Sequence, residues 1–442
     1  MKPAAICAAI FSLAAAAIAK PPPPKAHPIA NGTFIQDYLC RNWTDATWLA
    51  EFRYMKALGM RYMVFGAVAD GKTHTCVYPT SLPGYHLVEP NTDPLGACLR
   101  NAEKAGIRVF VGLNFHGDWW ARGSYDSAWL NSQMEEGNRI ADELYNRYHA
   151  RYPRAFYGWY WVWEVDNISA QSPSKAATLS GALDVSVRHL KSLNPGMPVM
   201  LCPFMNYRLG TPALYRGFWE RVFASCALGR GDIFAPQDCV GAGGLTLDNF
   251  AQWFAALRKA VDTKPGLVFW SDTETFYQDD WTSATLNRFV RQLKGVQPYV
   301  EGSITFAWSH YYSPNNVDAG WQKTYAGYVR TGKLESVPPS TPRHLRAARQ
   351  ANGTVRVTWE ASTDNVGICG YYVFRNGVRV SRQQGSKGLT NRKGPQTTYI
   401  DRPTAQPPRA SYEVQAYDFA GNVSRRVGPV SPVVVPATVK SN

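Results

Sequence analysis

A chain of 442 residues carries 47 Lys and Arg against 33 Asp and Glu, a formal net charge of +14. With 45% hydrophobic and only 18% charged residues, it has the length for two or three domains and the apolar content for a large core, which excludes a disordered or coiled-coil chain. Aromatic residues make up 13%, including 15 Trp and 24 Tyr, more than a core requires, and point to a broad stacking surface.

Residues 1–19 read as a secretory leader: Lys2, an apolar run from Ala4 to Ile18, and a small-x-small ending at Ala17-Ile18-Ala19. Residues 20–30, with Pro21 to Pro24, form an extended spacer. No later segment offers 18 uninterrupted apolar residues, so a secreted or periplasmic protein without membrane insertion is expected. Export permits disulfides among Cys40, Cys76, Cys98, Cys202, Cys226, Cys239 and Cys369. No Cys/His spacing suggests a metal site, and no cofactor is expected. The basic charge suits an acidic polymer as substrate or anchor, or plain solubility and envelope retention. Without a basic stripe or recognition motif it does not support a nucleic-acid partner.

From Thr33 onward short β-type runs alternate with longer amphipathic helices. The strand candidates are Thr33–Leu39, Arg61–Val68, Ile107–Asn114, Phe156–Glu164, Pro198–Phe204, Asp232–Pro236, Gly266–Asp272 and Gly302–Trp308. Helical periodicity fills the gaps, as in Trp48–Leu58, Trp129–Tyr148, Leu179–Leu193 and Phe250–Val261. Eight strand–helix units over residues 31–336 predict an α/β fold, a (β/α)8 TIM barrel. A doubly wound open sheet is the alternative, but no Gly-rich phosphate loop follows the first strand. Near Val337-Pro338-Pro339-Ser340-Thr341-Pro342 the pattern changes to short alternating strands, Val355–Trp359, Tyr371–Arg375 and Ser411–Tyr417, with Asn352-Gly353 and Asn376-Gly377 turns. Residues 337–436 therefore predict a small all-β sandwich. Ser362-Thr363-Asp364-Asn365-Val366-Gly367 before Tyr371-Tyr372-Val373-Phe374, and the closing Asp418-Phe419-Ala420-Gly421-Asn422, give this segment a resemblance to a fibronectin type III domain, which implies an accessory spacer or weak binding module.

Barrel enzymes carry their chemistry where strands end. The fourth strand ends in Trp161-Val162-Trp163-Glu164-Val165-Asp166-Asn167, and the seventh in Asp272-Thr273-Glu274-Thr275-Phe276. Strands four and seven face each other across a barrel mouth, so Glu164 and Glu274 stand to flank a bound bond, one as acid and one as nucleophile or base, as glycosidic cleavage requires. Aromatic surroundings desolvate Glu164 and keep it protonated for donation. Asn114, His116, Asp118, Trp119 and Trp120 after strand three, and Trp308 and Tyr311 after strand eight, supply the polar groups and flat rings that sugar rings bind. Most of the 15 Trp are core; clustering at strand ends singles these out. His116 and His310 lack the ligand spacing of a metal pair. Cys202 and Cys239, near the ends of adjacent strands, are candidates for a disulfide bracing this rim.

Across about residues 31–336 the chain resembles the secreted TIM-barrel family catalogued as domain of unknown function 4434, considered related to glycoside hydrolases. The matching stretches are Asn31-Gly32-Thr33-Phe34-Ile35-Gln36, Phe156-Tyr157-Gly158-Trp159-Tyr160 leading to Glu164, Ile233-Phe234-Ala235-Pro236-Gln237-Asp238-Cys239-Val240-Gly241, and Asp272-Thr273-Glu274-Thr275-Phe276. The resemblance implies a retaining barrel glycosidase with Glu164 as acid/base and Glu274 as nucleophile. It also implies Gln36, Gln237, Asp238 and Asp272 as cleft residues. One departure stands out: the large barrel glycosidase clan has Asn immediately before its fourth-strand Glu, and here that position is Trp163, with Asn167 as a substitute for the missing sugar contact.

The leading expectation is an exported glycoside hydrolase cleaving a polysaccharide, such as an acidic exopolysaccharide or envelope glycan. The alternative is a non-catalytic carbohydrate-binding barrel, which the same aromatics would serve and which Trp163 favours. A metal-dependent hydrolase would need clustered His ligands that the sequence lacks.

Overall fold

The computed structural model describes residues 27–123, 126–168, 172–384, 394–402 and 410–434. The leader of residues 1–19 and most of the spacer lie outside them. Eight parallel strands, β1 (Gly32–Ile35), β2 (Tyr62–Asp70), β3 (Arg108–Phe115), β4 (Phe156–Trp161), β5 (Val199–Leu201), β6 (Ile233–Phe234), β7 (Val268–Asp272) and β8 (Gly302–Thr305), follow one another around a closed sheet. Closure is made by β1, which pairs with β2 at Gly32↔Tyr62 and with β8 at Gly32↔Ile304. Helices alternate with these strands, as a (β/α)8 barrel requires.

Local chemistry explains where the helices begin. Helix Pro94–Ala105 opens with Asp93 accepting from the Gly96 amide and with Pro in its first turn, and Gly106 in the left-handed conformation ends it. Helix Ser127–Leu144 is capped by Asp126, which accepts from the Trp129 amide. Strands β2 and β3 approach so closely that a Cβ on Gly112 would lie 2.5 Å from the Gly66 carbonyl oxygen, so only glycine fits there.

Apart from β2 and β3, the barrel strands are shorter than their hydrophobic runs predict. The first ends at Ile35 rather than Leu39, with Asp37–Cys40 turning into a short helix, and the fifth spans only Val199–Leu201. Hydrogen bonding between neighbours stops where the cylinder ends, and the apolar residues beyond it pack into rim loops instead.

Strands β9 (Arg343–Arg349), β10 (Val355–Glu360), β11 (Ile368–Arg375), β12 (Val378–Gln384), β13 (Thr398–Asp401), β14 (Tyr412–Asp418), β15 (Val427–Val430) and β16 (Val433–Val434) form two four-stranded sheets, β13-β10-β9-β16 and β12-β11-β14-β15. Their inner faces share a core of Leu345, Val357, Trp359, Tyr371, Val373, Tyr412 and Val414. This sandwich docks directly on the barrel. Phe419, 5% exposed, meets Trp321 edge-on at 4.9 Å, and its carbonyl accepts from the Leu286 amide at 3.0 Å. No helix among the described residues is long and apolar enough to cross a membrane.

Candidate active site

The C-terminal ends of the barrel strands enclose a cleft of about 260 Å³. Gln36, Tyr38, Trp120, Glu164, Gln237, Asp272 and Phe306 are among the residues that line it. Glu164 follows β4 by three residues. The Trp119 indole N–H donates to its backbone carbonyl at 3.0 Å, and Gln237 Nε2 donates to its Oε1 at 3.0 Å. Burial raises the Glu164 pKa, moderated by the Gln237 hydrogen bond, so the group leans toward a protonated acid.

Two further carboxylates line the cleft: Asp37, which accepts from Arg41 Nε at 2.7 Å, and Asp272, the last residue of β7 and 1% exposed. Its backbone is locked to the chain after β6: its amide donates to the Pro236 carbonyl at 2.9 Å, and its carbonyl accepts from the Asp238 amide at 2.8 Å. Its Oδ1 has no hydrogen-bond partner among the described residues. A buried acceptor left unpaired costs roughly 1–3 kcal/mol, and such atoms mark places that a ligand completes. Burial holds the Asp272 pKa well above the carboxylate range, and the charges of Glu274, Asp238 and Glu164 add to it.

Glu274 is not among the cleft-lining residues. It is 1% exposed, and its Oε2 accepts from the Ala242 amide at 2.8 Å. Gly241 lies over it, where a Cβ would come within 2.9 Å of that oxygen. Asp238, fully buried, sits beside it: the Glu274 amide reaches Asp238 Oδ1 at 3.4 Å, and Gln292 Nε2 donates to Asp238 Oδ2 at 2.6 Å. Burial, reinforced by the Asp238 charge, pushes Glu274 up to about 8. Two adjacent buried carboxyls cannot both ionise cheaply, and Glu274 keeps a proton at neutral pH.

The remaining predicted residues divide by what they touch. Trp120, 59% exposed, stands at the cleft. Trp119 is buried and serves by holding the Glu164 carbonyl. Trp163 is not among the cleft-lining residues: its ring is 2% exposed among Phe115, Trp119 and Trp129 at 5.4–5.8 Å, so the position before Glu164 here fills the core. Asn114 donates to the Gln133 carbonyl at 3.1 Å, and Asn167 exchanges two hydrogen bonds with the Asn206 backbone, so both tie loops together. His116 accepts from the Asp118 amide at 3.2 Å, and Asp118 pairs with Lys72 at 3.0 Å outside the cleft. Trp308 is buried and donates to Gln322 at 3.0 Å. Tyr311 is 6% exposed and stacks on Phe276.

The expected Cys202–Cys239 disulfide is not formed. Both are buried free thiols, as are the other five cysteines among the described residues. Cys239 Sγ accepts from the Met205 amide at 3.0 Å and donates to the Gln237 carbonyl at 3.3 Å, which turns it to its own loop.

Sequence reasoning missed Tyr38, Tyr160 and Phe306 at the cleft. Behind the cleft wall, buried His310 braces Gln36: its Nε2 accepts from the Gln36 amide at 3.2 Å, and burial lowers its pKa to about 3, so it is neutral. For Tyr38 and Phe306 the position just after a strand end was the available signal, whereas Tyr160 lies within β4. Among the described residues no three His, Cys, Asp or Glu side chains cluster as metal ligands.

The fold is thus a closed parallel (β/α)8 barrel, with the carboxylates of Asp37, Glu164 and Asp272 and the exposed rings of Tyr38 and Trp120 at its C-terminal rim. The solved structure of a Bacteroides thetaiotaomicron protein, provisionally described as an alpha-L-fucosidase, shares it with a TM-score of 0.57 and 20% identity, over 68% of this chain and 95% of that one. The chain belongs to the family described as Domain of unknown function (DUF4434), whose model matches residues 30–318. Shorter similarities reach chitinase Chi52 of Paenibacillus xylanexedens, 34% identical over 116 residues, and chitinase D of Niallia circulans, 33% identical over 119 residues. Each match takes in 26% of this chain and about a fifth of the relative's length.

Proposed function

We propose that the protein is a glycoside hydrolase that cleaves a polysaccharide by a retaining, two-carboxylate mechanism, with Glu164 as acid/base and Asp272, rather than Glu274, as nucleophile. The observation that carries this is that, of the three carboxylates lining one aromatic cleft, Asp37 is paired with Arg41, whereas Glu164 and Asp272 are buried and Asp272 Oδ1 is unpartnered among the described residues. Protonated Glu164 gives its proton to the leaving oxygen while an Asp272 oxygen bonds to the anomeric carbon. Water then displaces Asp272, and Glu164 takes the proton back. Glu274, buried beside Asp238, assists by holding its own proton. A neutral Glu274 removes one like charge from beside Asp272 and so lowers the cost of ionising it, although burial, the larger cause, still favours its protonated form until substrate binds.

The cleft is smaller than the roughly 300–1,000 Å³ of drug-sized pockets, which suits one sugar ring held deep with the rest of a chain over the rim. The net charge of +14 and the leader-like residues 1–19 support an exported enzyme acting on an acidic glycan. The sandwich is read as a fibronectin type III module.

A reducing-end release screen over neutral and acidic glycans tests this with wild type, Glu164→Gln, Asp272→Asn and Glu274→Gln. The first two substitutions are expected to lower turnover by at least about 100-fold, while Glu274→Gln keeps most of it. Azide restoring turnover to Asp272→Gly would support the nucleophile. Normal turnover in Glu164→Gln and Asp272→Asn would sink the assignment, and glycan binding without products in every variant would favour a carbohydrate-binding barrel.

A further inference from the structure

Of the 15 Trp, all within the described residues, only Trp120 and Trp281 are more than a third exposed. Both sit on loops that leave the C-terminal ends of barrel strands. Trp120 lines the cleft. Trp281 is 50% exposed at the tip of the hairpin formed by Phe276–Tyr277 and Thr282–Ser283. Its φ of 52° is a conformation that a bulky residue adopts only when its surroundings enforce it.

Two sets of contacts enforce it. On the barrel side the Trp281 ring lies flat on Phe276, with centroids 5.3 Å apart and planes 13° apart. Phe276 in turn packs edge-on against Phe306 at 5.9 Å, and Phe306 is part of the cleft wall. Trp281 is therefore two ring contacts from the cleft.

On the other side the C-terminal sandwich grips the hairpin from two alternate residues of β12, which strand periodicity places on one face. Arg382, 7% exposed, pairs with Asp279 at 2.6 Å and Asp280 at 2.7 Å, and its guanidinium lies 3.8 Å from the Tyr277 ring centroid. Gln384 accepts from the Ser283 amide and donates to the Ser283 carbonyl, each at 2.9 Å. Such buried, bidentate pairing fixes a loop rather than merely touching it.

We infer that Trp281 is a stacking platform for a sugar ring of a glycan chain running out of the cleft, and that the sandwich, through Arg382 and Gln384, positions it. The inference rests on the glycan-cleaving reading and extends it: the substrate spans several sugar units, and the second domain is part of its binding site. A ring face beside a held, exposed indole recovers the apolar contact that Trp281 otherwise leaves to water.

The test uses the full chain and two substitutions, Trp281→Ala, which removes an exposed ring, and Arg382→Ala, which releases the hairpin. The probes are chito-, manno- and cello-hexaoses, the corresponding disaccharides, and alginate as an acidic polymer. Calorimetry gives Kd, and KM and kcat are measured where the chain turns over. Trp281→Ala is expected to weaken hexaose or polymer binding about 3- to 10-fold more than disaccharide binding, with the loss in KM rather than kcat. Arg382→Ala should show the same length-dependent loss, together with faster amide exchange across residues 276–283. Equal losses on short and long glycans in Trp281→Ala would overturn the platform alone. Unchanged hairpin exchange in Arg382→Ala would overturn the positioning role. A wild-type chain that neither binds nor cleaves any probe would overturn the glycan reading, and this inference with it.

Discussion

Replacing Glu274 by glutamine keeps the shape of the side chain and removes one titratable proton from beneath β7. Glu274 is 1% exposed and its pKa is raised to about 8, so it is protonated in the folded chain at pH values where the unfolded chain, with a pKa of about 4.5, has lost the proton. The folded state thus binds more protons than the unfolded state between about pH 4.5 and pH 8, and this contribution to stability falls as pH rises through that window. One proton corresponds to a slope of about 1.4 kcal/mol per pH unit, so wild type should lose about 3 kcal/mol more than Glu274→Gln between pH 5 and pH 7. Below pH 4.5 the two proteins should run parallel, because the proton is bound in both states. Denaturant unfolding of both chains at pH 5, 6, 7 and 8 reads the difference, and terms common to the two cancel. Parallel stability curves across the whole range would refute the buried, protonated Glu274 and return it to the list of ionised nucleophiles.

The catalytic arm asks for the opposite ranking, with Asp272→Asn nearly inactive and Glu274→Gln active in the same product-release assay. Phe419→Ala should weaken the docking of sandwich on barrel by about 3–5 kcal/mol, because the ring it removes is packed against Trp321 and fills the space left by Gly320. A calorimetric scan should then show the sandwich melting ahead of the barrel, and an unchanged thermogram would contradict the interface. All seven described cysteines are free thiols, so a thiol reagent in denaturant should count each of them, and added reductant should leave Tm unchanged; a drop in Tm would reveal a bridge.

The barrel was legible in the sequence because each strand is a short apolar run and each helix an amphipathic one, and those periodicities are local. Glu164 was legible for the same reason, since it follows the fourth such run. The sandwich announced itself through alternation and Asn-Gly turns.

The choice between Asp272 and Glu274 was not legible, because the two acids lie two residues apart and strand periodicity puts both on one face. Gly241, Ala242, Asp238 and Gln292, brought in from the turn after β6 and from the helix Leu286–Val296, enclose Glu274 and leave Asp272 to the cleft. Trp163 and Trp308 look the same as Trp120 and Trp281 in a sequence; which rings face solvent depends on what packs against them. The Cys202 and Cys239 thiols stay apart, and Arg382 and Gln384 meet a hairpin about 100 residues away, through contacts that no local pattern encodes. Backbone periodicity fixes elements one at a time, whereas burial, protonation and the joining of two domains depend on residues distant in the chain, which only the packed structure brings together.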